Sequence, residues 1–170
     1  MIPKGLGLDS KTQKLLNMPR SIHPPLNMHF IVEFNNKELI TDKNFQSVSG
    51  LKARIHENED KKGTHIQFEN IILKRAYQPD SGLVKWCMDA INNNKKEPTN
   101  LIVRLLNADH DMLSGWQIEK AIPIAWGVEE LHAQETKILI ETIELSYQCF
   151  HVLNSKGKVI APPTKPIKKK

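Results

Sequence analysis

The chain has 170 residues, enough for one domain with a real core and cramped for two. Its 39% hydrophobic and 25% charged residues exclude global disorder, and two cysteines, Cys87 and Cys149, are too few for a disulfide scaffold and fit a reducing cytosol. The net charge of +5 belongs to the ends: residues 154–170 carry six lysines and no acid, whereas residues 28–153 hold 14 basic against 18 acidic residues, which argues against a basic groove for nucleic acid on the folded body.

Residues 1–27 contain Pro3, Pro19, Pro24 and Pro25 around one short helix-compatible piece, Ser10–Asn17, and read as an N-terminal arm. This beginning lacks the apolar core of a secretory signal, and no apolar run nears the ~20 residues of a membrane span. Met28–Phe34 then alternates, with Met28, Phe30, Val32 and Phe34 on one face, as a half-buried strand does. Asn35-Asn36-Lys37 turns the chain, and Lys37–Thr41 could return as a short partner strand. Phe45–Val48 begins another strand, Gly50 permits a bulge or sharp bend, and Leu51, Ala53 and Ile55 resume the alternation. Asn58–Thr64 is almost wholly polar and reads as a long loop, followed by strands at His65–Phe68 and Asn70–Arg75.

The one clear helix is Ser81–Asn92, where Leu83, Trp86, Cys87, Ala90 and Ile91 recur at helical spacing; Asp80 or Ser81 supplies its cap, and the three asparagines 92–94 end it. Strands follow at Asn100–Leu106, Leu113–Ile122 and Lys137–Tyr147, separated by a turn at Asn107–Asp111 and a loop around Gly127–Glu135. Residues 154–170, with Pro162, Pro163, Pro166 and a terminal KPIKKK, read as an extended C-terminal tail. The pattern is mainly β (α+β): a curved β-barrel or sandwich at 28–153 with one flanking helix.

No constellation for catalysis stands out. Asp109-His110-Asp111 sits where Asp and His favour a tight turn and offers too few ligands for a metal. The seven histidines are scattered, and His56 and His65 could meet across a hairpin as a surface pair. Cys87 and Cys149 read as small buried hydrophobes, and Trp116 and Trp126 as core or interface packing. Gly5-Leu6-Gly7 lacks the third glycine and the preceding strand of a phosphate-binding fingerprint. The expectation is therefore no enzyme, no metal and no cofactor.

Several stretches in order carry a resemblance: PPLNMHFIVEF, FQSVSGL, NIILKRA with GLVKWCMDAINN, then NLIVRLLNADHDMLSGWQIEKAIPIAW and ETKILIETIELSYQ, from about Pro24 to Val152. Together they resemble the tail tube proteins of contractile phages and extracellular contractile injection systems, whose fold the type VI secretion tube protein shares. The resemblance implies a structural virion or particle component: six copies closed into a ring, and rings stacked into a hollow conduit inside a sheath. It implies partners in copies of itself, in sheath, baseplate or spike and terminator proteins and in lumenal cargo, with no membrane insertion. Assembly would take place in the cytoplasm, and the finished particle would be extracellular once released.

By the same resemblance, Asn58, Glu59, Asp60, Lys61, Lys62, Gly63 and Thr64 form a loop toward the adjacent ring. Strands Phe45–Glu57 and Thr64–Arg75 border the lumen or a subunit seam, where Glu141 and Glu144 could meet Lys52, Arg54 or Lys74, with Glu57 at the loop's base. The helix, represented by Leu83, Trp86 and Asp89, takes the outer wall facing the sheath. The family pattern starts near Met28 and stops near Leu153, so both extensions are additions to it. They allow an alternative reading, a specialised terminal or baseplate-proximal ring, and the lysine tail allows a more distant one, a small β-barrel nucleic-acid binder.

Overall fold

The computed structural model describes residues 26, 29–57 and 64–163. Five strands precede the single helix: β1 (Phe30–Phe34), β2 (Ser47–Ser49), β3 (Ala53–Glu57), β4 (Thr64–Phe68) and β5 (Ile71–Ala76). After the helix α1 (Gly82–Asn92) come β6 (Thr99–Leu106), β7 (Met112–Val128), β8 (Ile140–Ser146) and β9 (Cys149–Leu153). Seven strands join in the order β1-β6-β7-β8-β5-β2, with β9 also paired to β7, and β3 and β4 form a separate two-stranded ribbon.

Every ladder is antiparallel, so alternate side chains point inward. Val32, Leu101, Val103 and Ile118 from one half of the sheet meet Ile71, Leu73, Ile143 and Leu145 from the other, all buried in one core. Each such side chain contributes about 1.5–3 kcal/mol relative to exposure.

β7 joins the two halves. It pairs with β6 and β9 over its first part and with β8 from Ile122 onward. Two irregularities bend it: Lys120 adopts φ 53 where the β6 register shifts, and a second shift falls between Pro123 and Ala125. Proline cannot donate to a ladder, so Pro123 belongs beside such a break. The sheet curls without closing, because β1 and β2 do not pair with each other. Instead the intervening segment spans the gap, with Val32 N–H donating to Lys43 O at 3.4 Å and Gln46 N–H to Lys74 O at 2.7 Å.

α1 lies over this curl. Ser81 caps it, its hydroxyl accepting from Val84 N–H at 3.2 Å, and Leu83, Trp86, Cys87 and Ala90 face the core. The Trp86 indole donates to Glu97 O at 3.0 Å, which fixes the chain beyond the helix.

Three expectations are corrected. Lys37–Thr41 is not a strand: Lys37–Leu39 forms a 3₁₀ turn capped by the Asn36 side chain, and burial of Leu39 under the fold holds it there. The expected strand Lys137–Tyr147 is the shorter β8, and it is followed beyond Tyr147–Gln148 by a further strand, β9, with both running along β7. The tail does not begin at 154. The Asn154 side chain accepts from Lys156 and Lys158 N–H, Gly157 takes φ 72, and Val159 returns to bridge Leu153, with Ile160 N–H donating to Val152 O at 2.8 Å. The expected arm at 1–27 lies outside the described residues except for Leu26, as do residues 164–170 of the tail.

Gly50 bears out its sequence reading. Its φ is +86, and a Cβ there would stand 1.9 Å from Asn70 O, so only glycine lets the chain turn between β2 and β3 at this distance from β5.

Candidate assembly surfaces

The β3–β4 ribbon stands apart from the core. Ala53, Arg54, Ile55, Glu57 and Thr64–Gln67 are all exposed, on both faces of the ribbon. Ile55 (73% exposed) pairs directly with Ile66 (46%), and His56 stacks on His65 at 5.0 Å with its Nε2 2.9 Å from Gln67 Oε1. The ribbon is tethered at its root, where Phe68 packs on Tyr147 and Phe150 at 5.7 and 5.4 Å. Lys52 and Arg54 both reach Glu69 there, at 3.2 and 3.1 Å. A lone two-stranded ribbon is marginal in water, and two apolar side chains facing solvent on it favour contact with another surface.

Sheet edges are also open. From Ile122 to Val128, β7 pairs with β8 alone, and the opposite edge of that stretch carries no strand among the described residues. Ile124 and Val128 on it are exposed. Unpaired edges of this kind template the addition of another chain unless they are covered.

The sequence reading missed a buried ionic centre. Arg75 (2% exposed) is paired with both Asp42 (2%) and Glu141 (0%). Its Nε donates to Glu141 Oε1 at 2.6 Å, a terminal nitrogen reaches Asp42 Oδ1, and the other donates to the Ser81 hydroxyl at 2.6 Å. The Trp126 indole donates to Glu141 Oε2 at 2.8 Å, and the Phe45 ring lies 5.6 Å below the guanidinium. The group ties β5, β8, the helix cap, β7 and the 3₁₀ segment together. Burial, reinforced by the neighbouring Glu141 carboxylate, pushes the Cys87 thiol beside it up to about 12. That thiol is an inert one.

This corrects one expected seam residue: Glu141 lies inside its own subunit, because β8 alternates and position 141 faces inward with Ile143 and Leu145. Glu144 points the other way and accepts from the Asn70 amide at 2.7 Å. Lys74 is exposed on the same outward face. For the helix, Leu83 and Trp86 belong to its buried side, so of the three named positions only Asp89, bonded to Lys85 at 2.9 Å, can face outward. Positions 58–63 of the expected inter-ring loop lie outside the described residues, and Thr64 and Glu57 are its exposed, paired ends. The Asp109–Asp111 triplet is a turn built by Asn107, whose side chain accepts from both backbone N–H groups, with His110 at φ 65.

A small curled sheet whose β3–β4 ribbon stands apart from the core, and whose β7 edge carries no further strand among the described residues, suits a subunit that assembles with others. The profile of the T4-like virus tail tube protein gp19 family matches residues 26–151, and the chain belongs to that family. Among solved structures it is similar to a chain of the anti-feeding prophage baseplate, at 25% identity and a TM-score of 0.62, covering 79% of this chain and 98% of that one. It is also similar to a chain of the sheath-tube complex of an extracellular contractile injection system (21% identity, TM-score 0.58, covering 79% and 94%). The fold extends to Hcp1 from Flavobacterium johnsoniae (13% identity, TM-score 0.52, covering 72% and 93%). Comparison with curated protein sequences gave no match. The protein is a structural subunit of a contractile-tail type of tube.

Proposed function

We propose that six copies of this chain close into a ring and that the rings stack into a hollow tube. The observation that carries the proposal is the β3–β4 ribbon, which holds Ile55 and Ile66 in solvent and has no core of its own. In the assembly the ribbon lies against a neighbouring subunit, and its tip, 58–63, reaches the adjacent ring. The open edge of β7 at Ile122–Val128 forms part of the seam within a ring.

The outward face of β2, β5 and β8 lines the conduit. Register places Ser47 and Ser49 beside Lys74 and Ile72, and these beside Thr142 and Glu144, a mostly polar surface that suits passage of hydrated cargo. The exposed side of α1, with Lys85, Asp89 and Ile91, meets the sheath. Baseplate or spike and terminator proteins contact the end rings. The subunit does no chemistry, is assembled in the cytoplasm, and works as part of a phage tail or injection particle.

Reversing the charge of Glu57, Glu59 and Asp60 together tests the inter-ring role of the tip. The expected outcome is a folded protein that still forms rings but stacks poorly at moderate salt, read by electron microscopy. Stacking equal to that of the unaltered protein would remove the tip from the interface. A second reading, a specialised end ring, is favoured by the likeness to a baseplate chain. The two differ in whether rings lengthen.

A further inference from the structure

Glu119 on β7 and Cys149 and His151 on β9 bring three potential metal ligands to one place. Strand register does this. Glu119 lies directly opposite Cys149, and Gln117 opposite His151. Two-residue steps keep positions 149 and 151 on one face, the face turned away from the core, since the intervening pair Ile118 and Phe150 packs inward. Cys149 is buried, while His151 and Glu119 are partly open to solvent.

The spacing of the ligand atoms is informative. Cys149 Sγ lies 3.7 Å from Glu119 Oε2 and 3.7 Å from His151 Nε2, and His151 Nε2 lies 3.4 Å from Glu119 Oε1. The two sulfur contacts have the ordinary length of hydrogen bonds to a thiol, and the His151–Glu119 contact is longer than a strong hydrogen bond. The Cys149 and His151 contacts to Glu119 end on different carboxylate oxygens; with one ligand atom taken from each side chain, all three lie within 4.8 Å of one another. Around zinc, with metal–sulfur at about 2.3 Å and metal–nitrogen and –oxygen near 2.0–2.1 Å, ligand atoms stand roughly 3.3–3.6 Å apart, a separation that rotation of the partly exposed Glu119 and His151 side chains can reach.

We propose that Glu119, Cys149 and His151 form a binding site for a borderline-soft divalent cation, zinc(II) by its ligand chemistry. A thiolate, an imidazole and a carboxylate suit zinc and disfavour magnesium or calcium, which take oxygen donors. Three protein ligands leave a fourth position, which water fills from the solvent-open side. Cys149 gives up its thiol proton on binding, so affinity falls as the pH is lowered. The ion fastens β9 to β7 and with it the segment that returns at Val159. Because only the folded register assembles the ligands, binding stabilises the folded state. No sequence motif announces the site: Glu119 lies 30 residues before Cys149 and reaches the Cys149–His151 pair only through the β7–β9 ladder.

The test is titration of untagged, chelator-treated full-length protein with cobalt(II), followed by displacement with zinc(II). One equivalent per chain is expected, with thiolate-to-cobalt charge-transfer absorption in the near ultraviolet and a raised Tm in zinc. Cys149→Ala is expected to abolish that absorption and weaken zinc binding at least tenfold, and Cys87→Ala to leave both unchanged. Glu119→Gln and His151→Gln, at partly exposed positions and checked for folding by circular dichroism, are each expected to weaken zinc binding at least tenfold. Absence of thiolate absorption in the unaltered protein overturns the proposal. So does zinc affinity that folded Glu119→Gln and His151→Gln variants retain in full.

Discussion

Arg75 is the residue on which most of the interior converges. It donates to one oxygen of each of two buried carboxylates and to the hydroxyl that caps the helix, so its removal strands negative charge where water cannot reach. Breaking a buried pair from one side costs about 3–5 kcal/mol, far more than a surface pair is worth. Arg75→Met is therefore expected to destabilise by that amount in denaturant unfolding, whereas Arg54→Met, at an exposed pair, should change stability by less than about 1 kcal/mol. A second consequence concerns alkaline pH. Burial raises the Cys87 thiol from 9.0 to about 12, and the Tyr147 hydroxyl from 10.0 to about 12, where burial is again the first cause and Glu69 the next. For both, the unfolded chain ionises first. Stability is thus fully present below the unfolded values and is lost as pH rises from about 9 toward about 12. Denaturant midpoints should fall across this window, and Cys87→Ala should reduce the fall. The linear pattern could place Cys87 on an apolar helix face, but not the charges around it. Arg75, Asp42 and Glu141 come from segments 33 and 66 residues apart, so Glu141 reads in isolation as one more surface acid.

At the scale of elements, alternation located the strands wherever one face is buried, as in Met28–Phe34 against the observed β1, and cap plus apolar spacing located α1. It was weakest where short pieces depend on distant partners. Lys37–Leu39 became a 3₁₀ turn because Leu39 finds a core position that a returning strand would not give it. β9 was invisible because only its ladder with β7 separates it from β8. The ribbon lies between these cases: its two strands were legible, but its detachment from the core was not. That detachment sets a prediction. Replacing Ile55 and Ile66 together with Lys should leave the unfolding transition within about 0.5 kcal/mol of the original, as for surface sites generally, and should abolish assembly. Circular dichroism and analytical ultracentrifugation check the two halves separately. A variant that assembles normally would show that the ribbon does not lie in an interface.

At the scale of the whole molecule, an ordered set of short stretches from Pro24 to Val152 already resembled tail tube proteins, and the family match over residues 26–151 covers nearly the same span. The curl of the sheet, its single helix and its exposed ribbon suit a tube component: the core is built within one chain, and an edge and a ribbon are left open to the neighbour that the proposed assembly supplies. The proposed stacked rings require both a closing contact within the ring and an open-ended one between rings, since the first limits the ring and the second lets the tube grow. What a linear reading could not supply is which surface plays which part, because an unpaired edge is defined only once every other strand has its place.

The most direct measurement is electron microscopy of the purified full-length protein over a range of concentrations, with its mass determined in parallel. The account predicts six-membered rings that stack into hollow tubes as concentration rises. A protein that remains strictly monomeric at the highest concentrations, alone and when mixed with sheath and baseplate partners, would contradict it.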